Sequence, residues 1–468
     1  MGWSVALSSD GNTAIAGGIF DDHTAGAVWV FTRAGGSWSQ QGTKLVGTGA
    51  SADVAYQGYA VALSADGNTA IEGADDDNNE MGAVWVFSRS GGNWTQQGSK
   101  LVGTDGVEIV YQGSAVSLSS DGNTALVGGP NDSVGIGAAW VFVRNGGTWK
   151  QQGSKLVAAG ESGGGNVGHS VSLSGDGNTA LITAPFDDGG AGGAWVFVRT
   201  GSSWSQVGSK IIGTGAAGAA SQGISGSLSA DGSSAIIGGS SDNQGAGAAW
   251  VFVRNGSAWT QQGPKLVGTG AAGAALQGSS VSIASDGNTA VVGGPGDNGG
   301  VGAVWVFTRT NGIWAQSGGK IVGTGAADTS RQGKAVAVSS DGSTIAVGGL
   351  GDSAGTGAVW MFSNTIPLAV RAGAVVPSSF AMNQNYPDPF NPSTTIVYQI
   401  PAAAHVTLKV YTVLGQEVAT LVDGDQAPGI RSVSWDGDHV ASGVYLYRIV
   451  ATSGGRTFTE VRKMVHAK

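Results

Sequence analysis

The string ALSSDGNTAI, residues 6–15, returns six more times along the chain with small changes. Ser64-Ala65-Asp66-Gly67-Asn68-Thr69-Ala70-Ile71 and Ser119-Ser120-Asp121-Gly122-Asn123-Thr124-Ala125-Leu126 are two of the copies. Its aspartate falls at Asp10, Asp66, Asp121, Asp176, Asp231, Asp286 and Asp341, a spacing of 56 and then repeatedly 55 residues. Seven copies, starting near 2, 58, 113, 168, 223, 278 and 333, therefore cover residues 1–364.

An Asp-Gly pair between two short apolar runs, residues 4–7 and 13–16, predicts a tight hairpin with positive φ angles. A third strand follows over 26–31, rich in β-branched and aromatic residues, and a weaker fourth over 38–46 carries Gln and Lys. The third strand, Val28-Trp29-Val30-Phe31 in the first copy, is apolar on both faces. A sheet wetted on one side would alternate; a sheet stacked between two others would not. Four short strands, hairpin turns and no helical period describe a propeller blade. A parallel β-helix is the competing architecture, but its rungs are shorter and do not need Asp-Gly hairpins. The expected fold is all-β: a seven-bladed β-propeller of ~55-residue repeats, followed by a small Ig-like β-sandwich.

The pattern "G-x-S-V-x-L-S … GGP … GAVWVF … W-x-QQG-x-KL" over nearly all of residues 2–364 resembles the FG-GAP repeats of integrin-type propellers. Gly293-Gly294-Pro295-Gly296-Asp297 followed by Gly302–Phe307 is one such copy. The resemblance implies the propeller and no particular ligand. Integrin-type repeats often hold calcium on alternating aspartates between their first two strands, whereas Ser-x-Asp-Gly-Asn here is too short to wrap an ion.

Composition narrows the function classes. The 468 residues include 84 Gly and no Cys, so neither a disulfide framework nor a thiolate metal site is available. A net charge of −9 argues against a nucleic-acid partner. No apolar run is long enough to cross a membrane as a helix.

Antiparallel connectivity puts turns 1–2 and 3–4 of every copy on one face, and loops 2–3 with the copy-to-copy connections on the other. The second face varies between copies: residues 49–56 read GASADVAY where 160–166 read GESGGGN. Variable loops on a rigid scaffold make this the candidate binding face, with drift in solvent-exposed loops as the alternative. One residue on it is constant. Asp21, Asp77, Asp132, Asp187, Asp242, Asp297 and Asp352 occupy the same place in each 2–3 loop. Seven carboxylates around a rim suit cations or basic groups, but an aspartate accepting its own loop's backbone N–H is the favoured reading. Asp75, Asp77 and Asn79 have the spacing of the first oxygens of a calcium loop, with Glu80 where a glycine should turn the chain; a solvated acidic loop fits better. Calcium is thus the only cofactor the sequence suggests.

Catalysis has little to draw on. His23, His169, His405, His439 and His466 lack metal-ligand spacing, and no G-x-S-x-G elbow occurs. The repeated Trp29, Trp85, Trp140, Trp195, Trp250, Trp305 and Trp360 read as core, and the outer set from Trp38 to Trp314 as packing between blades.

The repeat ends before Phe380. The seventh copy lacks the Trp-x-Gln-Gln-Gly strand, and in the linker 365–379 the alternating Ile366, Leu368 and Val370 predict that residues 365–371 complete that blade at its outer edge. Residues 380–468 then show short alternating strands between turn signals, as a β-sandwich does. This segment closely resembles the type A C-terminal sorting domain of type IX (Por) secretion cargo. The resemblance rests on Asn385, Tyr386, Pro387, Pro389, Phe390, Asn391 and Pro392, on Leu414–Leu421, on Gly443 and Tyr445 within Ser442–Arg448, and on Lys463 within Arg462–Val465. Asp388 replaces the family's usual asparagine. It implies a signal read by an outer-membrane translocon of a Gram-negative bacterium. Such cargo normally begins with a signal peptide; residues 1–4 run straight into the first strand, so a start further upstream or a fragment is expected. The functional expectation is an exported, non-enzymatic propeller, secreted or at the outer-membrane surface, that binds an extracellular glycan or protein. A secreted polysaccharide enzyme and a purely structural surface protein are the alternatives.

Overall fold

The computed structural model describes residues 1–51, 54–326, 329–363, 380–382, 384–385, 388–426, 429–454 and 456–467. The chain divides into two compact units, Met1–Ile366 and Pro367–Lys468.

In the first unit seven antiparallel sheets follow one another, each strand pairing with its neighbour in sequence. The first is built from Val5–Leu7, Thr13–Gly18, Ala27–Ala34 and Ser37–Gln40. Six sheets have four strands; the seventh has three among the described residues, Ala335–Val338, Thr344–Gly349 and Ala358–Ser363. The second strand of every sheet is buried throughout, and Trp85, Trp140, Trp195, Trp250 and Trp305 on the third are fully buried, as two-faced packing requires. Trp29 and Trp360 are half-buried. Most outer strands are shorter than expected: after Ser37–Gln40 the Gln41 N–H bond to Val30 O and the Val28–Leu45 bridge continue the pairing, whereas Ser203–Ile211 of the fourth sheet runs the full length.

The Asp-Gly stretch differs from the tight turn its sequence suggested. It is a five-residue loop in which only Gly11 takes a positive φ, of 64°. The Asp10 carboxylate accepts Ser8 Oγ–H at 2.5 Å and the Asn12 backbone N–H at 2.9 Å, while Ser8 Oγ accepts the Thr13 N–H at 2.9 Å. Burial alone would raise the Asp10 carboxyl; the bonds from Ser8 and Asn12 and the nearby Arg33 outweigh it and hold the group below its usual range.

Beside these loops the sheets join into a closed cycle. Ser9 N–H donates to Ala65 O (2.9 Å), Ala65 to Ser120 (2.9 Å), Ser120 to Gly175 (2.8 Å) and Gly175 to Ala230 (2.7 Å). Ala230 donates to Ser285 (3.1 Å), Ser285 to Ser340 (3.2 Å), and Ser340 N–H returns to Ser9 O (3.0 Å). The first unit is therefore a ring of sheets with no free inner edge, a propeller architecture.

Further out, four of the seams are fastened by the loop motif itself. Arg89 donates through Nε to Asn68 Oδ1 at 2.9 Å, then reaches across to Thr13 Oγ1 and Gln41 Oε1 of the preceding sheet at 3.3 and 3.1 Å. Trp94 Nε1 donates to the same Gln41 at 3.1 Å, beneath the Arg89 guanidinium. The Arg–Trp–Gln arrangement recurs at Arg144, Arg199 and Arg309. The seam at Trp259 lacks it: Val207 stands where the glutamine belongs, and the buried Trp259 Nε1 has no partner. The strand predicted over 365–371, at the seventh sheet, lies outside the described residues.

The second unit packs two sheets face to face. One contains Ala381–Met382, Ser393–Ile400 and Gly429–Asp436; the other Glu417–Gln426, Ala404–Thr412, Gly443–Ser453 and Arg456–His466. Ile396, Tyr398, Val406, Leu408, Tyr447 and Ile449 fill the space between them.

The orphaned indole gives a direct check on the seam motif. Val207→Gln should supply the missing acceptor and raise stability by about 1 kcal/mol, read as a higher denaturant midpoint. Gln97→Val should lower it by a similar amount.

Candidate functional site

The constant aspartates of the variable face come first, because the structure gives them another task. Asp77, Asp132, Asp187, Asp242 and Asp297 are almost fully buried. Each takes the ammonium of the lysine 23 residues on: Lys155 on Asp132, Lys265 on Asp242 and Lys320 on Asp297 at 2.5 Å, Lys210 on Asp187 at 2.6 Å, and Lys100 on Asp77. Lys44 meets the more exposed Asp21 in the same way. The other oxygen accepts a backbone N–H from the connection entering the sheet, Val107 to Asp132 at 2.8 Å and Ala217 to Asp242 at 2.7 Å. The expected partner, the loop's own N–H, is corrected: the carboxylate ties the outer strand and the preceding connection to its loop. Two left-handed residues follow each of these aspartates in most copies, such as Asn78 and Asn79 at φ 55° and 56°. Asp352 bonds Ser353 Oγ at 3.0 Å.

The calcium triplet does not converge. Asp77 is held by Lys100 and the Ser51 N–H, while the buried Asp75 accepts Ser114 Oγ–H at 3.3 Å from the next sheet. No cluster of three metal-binding side chains occurs among the described residues.

A site the sequence reading missed lies where the inner strands begin, at the end of the channel opposite the Ser9–Ser340 cycle. Each connection closes with a residue followed by glycine, Gln57-Gly58, Gln112-Gly113, Val167-Gly168 and so on, and the next residue stands just before the inner strand. In chain order these residues are Trp3, Tyr59, Ser114, His169, Ile224, Ser279 and Lys334. The strands and the loop aspartates repeat closely from copy to copy; here no residue type dominates. Superimposing the seven copies on Gln-Gly would have shown it.

The set is chemically lopsided. Lys334 Nζ lies 4.9 Å from the Trp3 ring, and Trp3 lies 5.4 Å from Tyr59 and 6.1 Å from the exposed Phe20, which itself meets Tyr56. Next comes Asp75, whose Oδ1 has no partner; burial, with Asp76 adding to it, pushes its carboxyl up to about 7. Burial and these carboxylates push the Tyr59 hydroxyl up to about 12. His169 stands against Phe186, its Nδ1 unpartnered, and burial together with the Lys334 charge holds the imidazole down at about 4. Aromatic faces, an unfilled carboxylate oxygen, an unfilled imidazole nitrogen and a cation thus converge on one mouth. Such groups bind polar organic molecules.

In the second unit the secretion-type motif is divided between core and surface. Asn385, Phe390 and Tyr445 are buried. Asn385 N–H donates to Tyr447 Oη at 2.9 Å, and Phe390 stacks on His466 at 4.9 Å and pairs with the last strand through Val465 and Ala467. Pro389, Asn391, Pro392, Gly443 and Lys463 are exposed; Tyr386 and Pro387 lie outside the described residues. Leu414, at the tip between two strands, is 92% exposed.

The fold and site define an all-β protein made of a propeller ring and an Ig-like sandwich. The family pattern of the FlgD Ig-like domain matches residues 390–455. No curated protein matches the chain. Among solved structures, hydrazine synthase of Kuenenia stuttgartiensis is similar at 12% identity and TM-score 0.48, over 78% of this chain and 96% of that one. PorZ, described as an essential bacterial surface component of the type IX secretion system of Porphyromonas gingivalis, is similar at 13% identity and TM-score 0.42, over 100% of this chain and 59% of that one. A TolB-like protein of Agrobacterium tumefaciens reaches 14% identity and TM-score 0.28, over 62% of this chain and 94% of that one.

Two outcomes follow from these charges. Lys155→Met strands the buried Asp132 carboxylate and should cost roughly 3–5 kcal/mol, with much of it regained in Lys155→Met/Asp132→Asn; a variant as stable as wild type would show the pair to be dispensable. Glu72, which stands where the other copies have Ala, Val or Ile, is fully buried with neither oxygen bonded, and burial pushes it up to about 8. The folded chain then keeps a proton that the unfolded chain releases near pH 4.5. Stability from this group is complete below that pH and lost as pH rises toward 8. Glu72→Val should raise stability at neutral pH by a few kcal/mol and flatten denaturation midpoints measured across that range.

Proposed function

We propose that this protein is an exported, non-enzymatic binding protein: a seven-bladed propeller of FG-GAP type that takes its ligand at the channel mouth, followed by a type A sorting domain for type IX secretion. The observation that supports ligand capture is the break in sevenfold repetition at Trp3, Tyr59, Ser114, His169 and Lys334. Packing alone would favour the same residue in every copy, as it does at the aspartates and tryptophans. The ligand class is an extracellular glycan or protein. Export is supported by the motif residues that packing leaves unused, Pro389, Asn391, Pro392, Lys463 and above all the exposed Leu414. No helix of the described residues is long and apolar enough to cross a membrane, and a secreted or outer-membrane-surface location accords with the reading.

Asp75 favours one alternative. A buried carboxyl that burial and Asp76 push up to about 7 has the property of a general acid, which a polysaccharide-cleaving enzyme would use. Product release from polysaccharides that stops with Asp75→Asn would establish that reading in place of simple binding.

A glycan array probed with the full chain should give saturable binding that falls at least tenfold in Trp3→Ala/Tyr59→Ala. Equal binding by that variant would move the site elsewhere. For export, Leu414→Asp should leave the protein folded yet retained in the periplasm, as should removal of residues 380–468. Normal surface display of the truncated chain would refute the sorting assignment.

A further inference from the structure

Beside Trp3 the channel mouth opens into a cavity of about 540 Å³. Leu276, Pro295, Leu350 and Trp3 form its apolar wall, with glycines leaving one side open, and Arg331 and Lys334 supply its charge. The repeat lysines Lys44, Lys100, Lys155, Lys210, Lys265 and Lys320 are each matched to an aspartate. Among the described residues Arg331 and Lys334 have no such match: the Lys334 ammonium lies over the Trp3 ring, and the Arg331 charge bears on it. Among the described residues the half-buried Lys334 and the exposed Arg331 are thus neighbouring cations without a counter-ion, and the partial withdrawal of Lys334 from water carries a cost. An anion seated between them removes that cost.

Resting on the binding reading above, we propose that this cavity binds the carboxylate of an acidic monosaccharide unit. The Arg331 guanidinium takes the carboxylate as a planar fork and Lys334 adds a second charged contact. The apolar face of the sugar ring covers Leu276, Leu350 and the Trp3 edge. A bare inorganic anion would leave that wall wet, and a neutral sugar would leave both cations unpaired. The volume suits one or two sugar rings.

Calorimetry of the full chain at low salt, with D-glucuronate, D-glucose and inorganic sulfate as probes, tests this. Glucuronate should bind saturably, at least tenfold more tightly than glucose or sulfate, and more weakly as salt is raised. Arg331→Gln and Lys334→Met should each weaken glucuronate at least tenfold. Thermal midpoints serve as the folding control: Lys334→Met removes a desolvated charge and should not lower the midpoint, while glucuronate should raise that of wild type alone. Equal binding of glucose, equal binding of sulfate, or indifference to both substitutions would overturn the proposal. If neutral glycans bind through Trp3 and Tyr59 while glucuronate does not, only this inference falls; if no sugar binds at all, the glycan reading falls with it.

Discussion

Seven backbone hydrogen bonds, from Ser9 round to Ser340 and back, are what the rest of the first unit depends on. Each links the loop that the repeated Ser-x-Asp-Gly stretch forms to the next copy of that loop. The stretch therefore acts in two directions. Within a copy, Asp10 and Ser8 bind the loop to itself through Asn12 and Thr13, leaving the Ser9 peptide group pointing at its neighbour. Between copies, that peptide bonds on both sides. A loop of another shape would break the cycle at one point and expose the inner edge of a sheet, which a ring otherwise eliminates. A near-constant spacing of 55 residues is the sequence record of that demand.

The same demand explains what was legible in the sequence. Val28-Trp29-Val30-Phe31 announces a strand buried on both faces because period-2 alternation fails there, and the structure buries its counterparts completely. Strand order and the two loop faces follow from antiparallel hairpins and needed no coordinates. The Lys–Asp pairing was not legible as such: the two residues stand 23 apart, with no local period to join them. Sequence could show that the aspartate is constant, but only the packing of the outer strand against the 2–3 loop brings a lysine to it. The hairpin angles were misjudged for a related reason, since an Asp-Gly pair admits several turns and the Ser8 hydroxyl selects the longer one.

Constancy and function proved to run opposite ways on the variable face. Of the aspartates that repeat there, the five buried ones, Asp77 to Asp297, have both oxygens committed to Lys Nζ and a backbone N–H, so they have little capacity for a ligand. Their lock holds each 2–3 loop in a left-handed turn and each connection against it. Immediately inward, the position after Gln-Gly is free of any role in the lock. Glycine fixes the backbone there, since a Cβ on Gly58 would lie 2.5 Å from Ala27 O, and the following side chain faces the channel whatever its identity. That arrangement lets Trp3, Tyr59, His169 and Lys334 differ without disturbing a seam.

The unpaired polar groups of the ring are distributed accordingly. Trp259 Nε1, orphaned by Val207, is a lapse in a seam, and the unbonded Glu72 carboxyl is buried within a second strand. Asp75 Oδ1 and His169 Nδ1 instead lie with Lys334 at one mouth, drawn from three separate sheets that the sequence holds 94 and 165 residues apart. Drift in solvent-exposed loops would scatter such groups around the rim and leave them hydrated. Their concentration at the channel, partly withdrawn from water and with donors and acceptors unmatched, carries a stability cost that the structure does not recover from its own contacts. A ligand with a carboxylate, hydroxyls and an apolar ring face is the kind of molecule that would recover it, which ties the unsatisfied groups and the broken repeat to one explanation.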